Sequence, residues 1–82
     1  MKITAKFSCP DIVGHLREGE YEVADGATIR DAMESFFKED GRELTDGVIN
    51  NVVFVVNYMP AQWETVLSDG DGLRVLYRFL GG

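Results

Sequence analysis

Apolar and polar residues alternate first at the start of the chain, where Ile3, Ala5 and Phe7 share one face of Lys2–Phe7 at period two. That pattern predicts a half-buried strand. Cys9-Pro10-Asp11 ends it, because proline has no N–H to give to a ladder. Residues 10–19 read as a connection broken by Gly14 and Gly19, and a second short strand follows at Glu20–Val23, with Tyr21 and Val23 on one face. The two strands are expected to pair as a hairpin with a long loop.

The period then changes to helical. Ile29, Ala32, Met33, Phe36 and Phe37 fall at i, i+3, i+4, i+7 and i+8, while Arg30, Glu34, Ser35 and Lys38 take the other side. This is one apolar stripe on an amphipathic helix. Thr28 is placed to cap it, with Asp31 three residues on, where a carboxylate meets free N–H groups of the first turn. Gly41 is a credible stop. A polar stretch, Arg42 to Asn51, leads to Val52–Val56, a β-branched run expected to be a central strand buried on most sides. Asn57–Pro60 reads as a turn, Trp63–Val66 as a short edge segment, and Asp69-Gly70-Asp71-Gly72 as a tight turn. In the last strand, Leu73, Val75, Tyr77 and Phe79 share one face, and Arg74, Leu76 and Arg78 the other. A single amphipathic helix must cover something, and the strands are what remains. The order predicts an α+β fold of the β-grasp (ubiquitin-like) plan, a mixed sheet of four to five strands with one covering helix.

Composition narrows the functional classes. With 82 residues, 45% of them hydrophobic, the chain can build one core. The expected organisation is a β-grasp domain over 1–80 and a flexible Gly-Gly tail at 81–82. No stretch approaches the ~18 apolar residues of a membrane helix, and the alternating N-terminus is unlike a signal peptide. A cytoplasmic protein with no membrane partner is expected. The formal charge of −6 disfavours phosphate backbones, so no nucleic-acid partner is expected. It fits either docking onto a basic protein surface or plain solubility.

Side-chain chemistry is sparse. Cys9 is the single cysteine and His15 the single histidine, so neither an internal disulfide nor a zinc site is expected. A Cys9–His15 nucleophilic pair is formally possible, since both lie in one loop. Asp69-Gly70-Asp71-Gly72 starts like a calcium loop but lacks the next oxygen ligand and the distal Glu. Phe36, Phe37, Phe54 and Trp63 sit at core positions, without the basic residues that accompany base stacking.

Leu80-Gly81-Gly82 is the feature packing does not explain. Glycine packs nothing and has the largest ordering cost. Two terminal glycines make a narrow tail whose α-carboxylate, with an ordinary pKa of ~3.3–3.7, is ionised at neutral pH and able to attack a phosphoryl centre. Leu80 to Gly82 could carry it about 10 Å beyond the sheet. Chance or a cloning remnant is the alternative.

Five segments in this order, the tail among them, resemble the ubiquitin-like bacterial sulfur carriers, which include the molybdopterin synthase small subunit (MoaD-like) and the thiamine sulfur carrier (ThiS-like). They are Met1-Lys2-Ile3, Gly26-Ala27-Thr28-Ile29, Val55-Val56-Asn57, Leu67-Ser68-Asp69-Gly70-Asp71 and Gly81-Gly82. The resemblance runs from residue 1 to 82. Length and the long first loop are closer to the molybdopterin branch. Tyr77-Arg78 stands where that branch commonly has Pro-Pro, and Cys9-Pro10-Asp11 where many members have Arg-Glu. These departures leave the carrier role intact and bear on the pathway.

The resemblance implies a carrier protein, not itself an enzyme, of the kind that forms the small subunit of a heteromeric synthase. An E1-like adenylating enzyme would use Mg and ATP to activate the Gly82 carboxylate. A persulfide donor protein would convert it to a thiocarboxylate, and a synthase large subunit would receive the sulfur in molybdopterin biosynthesis. ATP and Mg would belong to the enzyme; no cofactor is expected on this chain, which has no Walker-type sequence. Gly82 would bear the reacting group and Gly81 keep the path narrow. Leu80 and Phe79 would anchor the base of the tail. Arg74 and Arg78 would meet acidic partner residues or decorate the strand in solvent. Phe7, Leu76 and Met59 would form an apolar docking face or be core and incidental surface. Three other readings share these features: a carrier for thiamine thiazole or another sulfur-containing metabolite, a ubiquitin-like modifier joined through Gly82 to lysine, and a β-grasp interaction module with an incidental tail.

Overall fold

The computed structural model describes residues 1–9, 13 and 16–78. Strands β1 (Lys2–Phe7) and β2 (Gly19–Glu22) pair antiparallel, and helix α1 (Ile29–Glu39) follows. A short helix α2 (Asp46–Ile49) precedes strands β3 (Val52–Val56), β4 (Met59–Ala61) and β5 (Gly72–Tyr77). The five strands lie in the order β2-β1-β5-β3-β4, with β1 and β5 parallel at the centre and the other pairs antiparallel. The fold is the expected β-grasp.

Helix α1 is defined at both ends by hydrogen bonds its sequence supplies. Thr28 Oγ1 accepts from the Asp31 N–H at 3.2 Å, and the Asp31 carboxylate accepts from the Thr28 N–H at 3.1 Å, a reciprocal capping box. At the other end Gly41, at φ +75°, donates to the Lys38 carbonyl and Arg42 donates to the Phe37 carbonyl. Those two bonds form a Schellman stop, which needs the left-handed backbone that glycine adopts without a Cβ clash. Ile29, Ala32, Met33, Phe36 and Phe37 are all buried, against Ile3 and Ala5 of β1, Phe54 of β3, and Leu73 and Val75 of β5.

Five parts of the chain depart from the sequence expectation. Val52–Val56 is paired on both sides, yet Val53 remains 38% exposed and Val55 only half-buried. One helix covers one face of the sheet, so a strand inside it is buried on that face alone. The turn before β4 is two residues long, Asn57 at φ +50° and Tyr58 at φ +69°, as a type I′ hairpin requires. Pairing therefore resumes at Met59, inside the expected turn, and Pro60 is tolerated because β4 is an edge strand. Holding Tyr58 in the left-handed region costs roughly 1–2 kcal/mol. Trp63–Val66 is not an edge strand. The Trp63 and Thr65 carbonyls accept from the Arg30 and Ile29 N–H groups, and Leu67 N–H donates to the Ala27 carbonyl. The segment thus closes the open N-terminus of α1, satisfying donors that a helix leaves free. Finally, the polar stretch contains α2, capped by Thr45 and anchored by buried Val48. Leu16 and Val13, in the region read only as a connection, are buried in the core.

Candidate functional site

Alternation along the strands sends one set of side chains under α1 and leaves the other on an open face. Register places Lys6 beside Arg74, Arg74 beside Val55, and Val55 beside Pro60. In the next row Leu76 lies beside Val53. The centre of the open face is therefore an apolar strip with a cationic border. Arg78 follows Leu76 on the same alternation. Among the described residues, Lys6, Arg74 and Arg78 form no ion pair. On a chain of net charge −6, this face has the opposite sign, and acidic Glu20 and Glu22 are confined to its outer strand β2. A net charge fitted to a basic partner thus conceals a face suited to an acidic one.

A polar latch rigidifies one end of this face. Asn57 donates through Nδ2 to Asp71 at 2.8 Å and accepts from Gly72 N–H at 2.8 Å. Asp71 also accepts from Ser68 N–H, and Asp69 accepts from Lys2 N–H, each at 2.8 Å. The segments Val55-Val56-Asn57 and Leu67–Asp71 thereby tie the β3–β4 hairpin to the starts of β1 and β5. These carboxylates are occupied by N–H donors, which is turn chemistry.

At the other end, Arg78 N–H donates to the Asn51 carbonyl at 2.9 Å, extending the β5–β3 pairing to the end of the described residues. Phe79, Leu80, Gly81 and Gly82, the tail residues singled out in the sequence, lie outside the described residues, as does His15. Of the other singled-out residues, Arg78 and Leu76 belong to the open face. Phe7 and Met59 do not join them. Phe7 pairs with Val75 on the helix-covered face, its ring edge-on to Phe36 at 6.0 Å. Met59 pairs with Val56, on the same side of the sheet as Phe54, and is 67% exposed at the edge. The sequence reading missed Lys6, Val53, Val55 and Tyr58 as parts of the face. Strand alternation could have flagged Lys6, but its pairing with Arg74 is a long-range contact.

Cys9 is sealed in the core, its Sγ 3.8 Å from the Val75 carbonyl. Burial pushes its thiol above the ordinary value of 9.0. It holds no thiolate at neutral pH, which removes the nucleophile from the Cys9–His15 pair. Tyr21 is raised above 10.0, chiefly by burial, with Arg17 opposing. Both groups are held neutral in the fold, so their contribution to stability is intact below pH 9.0. It declines at higher pH, as the unfolded chain loses the thiol proton first and the phenol proton next. Urea midpoints are expected to fall as pH rises past 9, with a shallower fall in Cys9→Ala.

The comparisons with known proteins agree with this architecture. The ThiS family profile matches residues 11–82, and the chain belongs to that family, the ubiquitin-like sulfur carriers. SAMP1 from Haloferax volcanii is similar in structure at 22% identity, with a TM-score of 0.61 and all of both chains covered. A structure from Pyrococcus furiosus described as molybdopterin converting factor, subunit 1, is similar at 24% identity and a TM-score of 0.63, covering 92% of this chain and 94% of that one. At those identities the two structures establish the shared fold. No curated protein matches the sequence.

Proposed function

We propose that this chain carries sulfur on the carboxyl group of Gly82. The observation that carries the reading is the family match, which runs through Gly81-Gly82. The fold supplies a hydrogen-bonded sheet, and four residues, Phe79 to Gly82, follow Arg78 in the sequence. At ~3.3–3.6 Å per residue they reach at most about 13–14 Å, enough to enter a partner's active site while the open face docks outside it.

The chemistry follows from what a carboxylate lacks. It is a poor acylating group, so an E1-like adenylating enzyme, holding Mg and ATP, must supply a leaving group. A Gly82 carboxylate oxygen attacks the α-phosphorus and pyrophosphate departs. A persulfide sulfur from a donor protein then attacks the acyl carbon and expels AMP. Thiol cleavage of the resulting S–S bond leaves the thiocarboxylate. This chain's part is to present an unhindered carbonyl, since neither glycine has a side chain to block either attack. Arg78, Arg74 and Lys6 would meet carboxylates on the partner, and Leu76, Val55 and Val53 its apolar centre. Such charges act mainly on encounter rate and are screened by salt.

The proposed acceptor is a molybdopterin precursor held by a synthase large subunit. Support comes from the chain's length and long first loop, and from the Pyrococcus furiosus neighbour described as a molybdopterin converting factor subunit. The test is ATP–pyrophosphate exchange with the adenylating enzyme of the same organism. Exchange should depend on this chain and saturate with it; a rate no higher than that of the enzyme alone would refute the reading.

A further inference from the structure

The β3–β4 hairpin carries a residue that folding does not explain. A two-residue I′ turn asks for positive φ at both positions, which Asn-Gly meets without strain. Here the second position is Tyr58, at φ +69° and 92% exposed. The aromatic ring therefore sits where the backbone favours glycine, and no burial offsets the strain. Strained residues of this kind cluster at functional surfaces. Tyr58 also lines a shallow concavity on the open face, with Lys6, Val55, Arg74 and Leu76.

We infer that Tyr58 is a specificity-determining anchor for the protein that receives the tail. The inference rests on the proposed function, because it takes the adenylating enzyme as that occupant. Its docking surface would present carboxylates to Lys6 and Arg74 and an apolar seat to the phenol ring. Charge complementarity favours such a partner, since the apolar strip beside Tyr58 is bordered by Lys6 and Arg74 on an otherwise acidic chain. Exposed tyrosines that become buried on binding are over-represented among residues that dominate interface energy.

Position adds a size requirement. Asn57 bonds to Gly72 at the start of β5, whereas the tail follows Arg78 at its other end. Six residues of strand at ~3.3 Å each separate the two by about 20 Å. An enzyme that grips both must cover the whole length of the open face. Tyr58 would then fix how the carrier lies along the partner, while the tail enters the active site at the far end.

The test compares wild type, Tyr58→Gly and Tyr58→Phe by urea unfolding, sedimentation, and ATP–pyrophosphate exchange with the adenylating enzyme. Tyr58→Gly should raise the urea midpoint, since glycine relieves the turn, while raising the KM for the carrier about ten-fold or more with little change in kcat. Tyr58→Phe should retain a KM near wild type. A stabilised Tyr58→Gly with wild-type KM would overturn the inference and leave the proposed function standing. Failure of the wild type to support exchange would remove the proposed function, and the inference with it. A wild-type dimer that Tyr58→Gly dissociates would assign the tip to a second copy of this chain and also overturn it.

Discussion

Removing Gly81 and Gly82 is expected to abolish sulfur loading completely while leaving the urea midpoint of the domain at its wild-type value. The two effects should separate because the buried apolar residues described all lie between Ile3 and Val75, and neither glycine has a side chain to add to that core. Loss of two glycines withdraws the carboxylate by about 7 Å, and near-attack geometry tolerates displacements of only about 1 Å. Adding one alanine after Gly82 tests the same point from the other side. It moves the terminal carboxylate outward by ~3.5 Å and places a methyl group beside the reacting carbon. It should also fall to background in ATP–pyrophosphate exchange. If either variant loads at the wild-type rate, the tail is incidental and the chain acts through its folded surface.

Phe36→Ala should have the largest effect on stability. Phe36 is 1% exposed, stacked near Tyr21 with ring centroids 4.1 Å apart and edge-on to Phe7 at 6.0 Å. The three rings join α1 to β1 and β2, so truncation opens a cavity that no single element can close. Large-to-small aromatic substitutions of this kind cost about 3–5 kcal/mol. A domain of this size is stable by only about 4–12 kcal/mol, so much of its margin would go. The urea midpoint should drop steeply with little change in slope. Val55→Ala, on the half-buried open face, should cost well under half as much. Equal losses at the two positions would contradict the one-sided core.

What could be read from the sequence was local. Helix α1 was legible because its stripe, its Thr28–Asp31 box and its Gly41 stop all lie within 14 residues, Thr28 to Gly41, and point to one answer. Strand β4 was not, since Met59-Pro60 resembles a turn until the two-residue hairpin before it fixes the pairing with Val56. Helix α2 is four residues long with one buried side chain, Val48, too short for any periodic signal, although Thr45-Asp46 was a cap in plain view. The role of Trp63–Val66 in closing α1 depends on backbone carbonyls, which leave no mark on side-chain pattern. The character of the open face was hidden for a different reason. Lys6 and Arg74 are brought side by side only by the parallel β1–β5 pairing, and an overall charge of −6 gives no hint of a local cationic strip. The same pairing separates Phe7 from Leu76, which the resemblance had placed together on a docking face. Leu80-Gly81-Gly82 was legible as a motif, because paired glycines have no side chain to pack and a core gives no reason for them.

The most direct test of the account is the mass of the protein's own C-terminal peptide, taken after incubation with the adenylating enzyme, ATP and a persulfide donor. Replacement of one oxygen by one sulfur is expected, localised by fragmentation to Gly82. A C-terminal peptide that stays unmodified while the same enzyme forms its acyl-adenylate, or a sulfur found anywhere else in the chain, would contradict it.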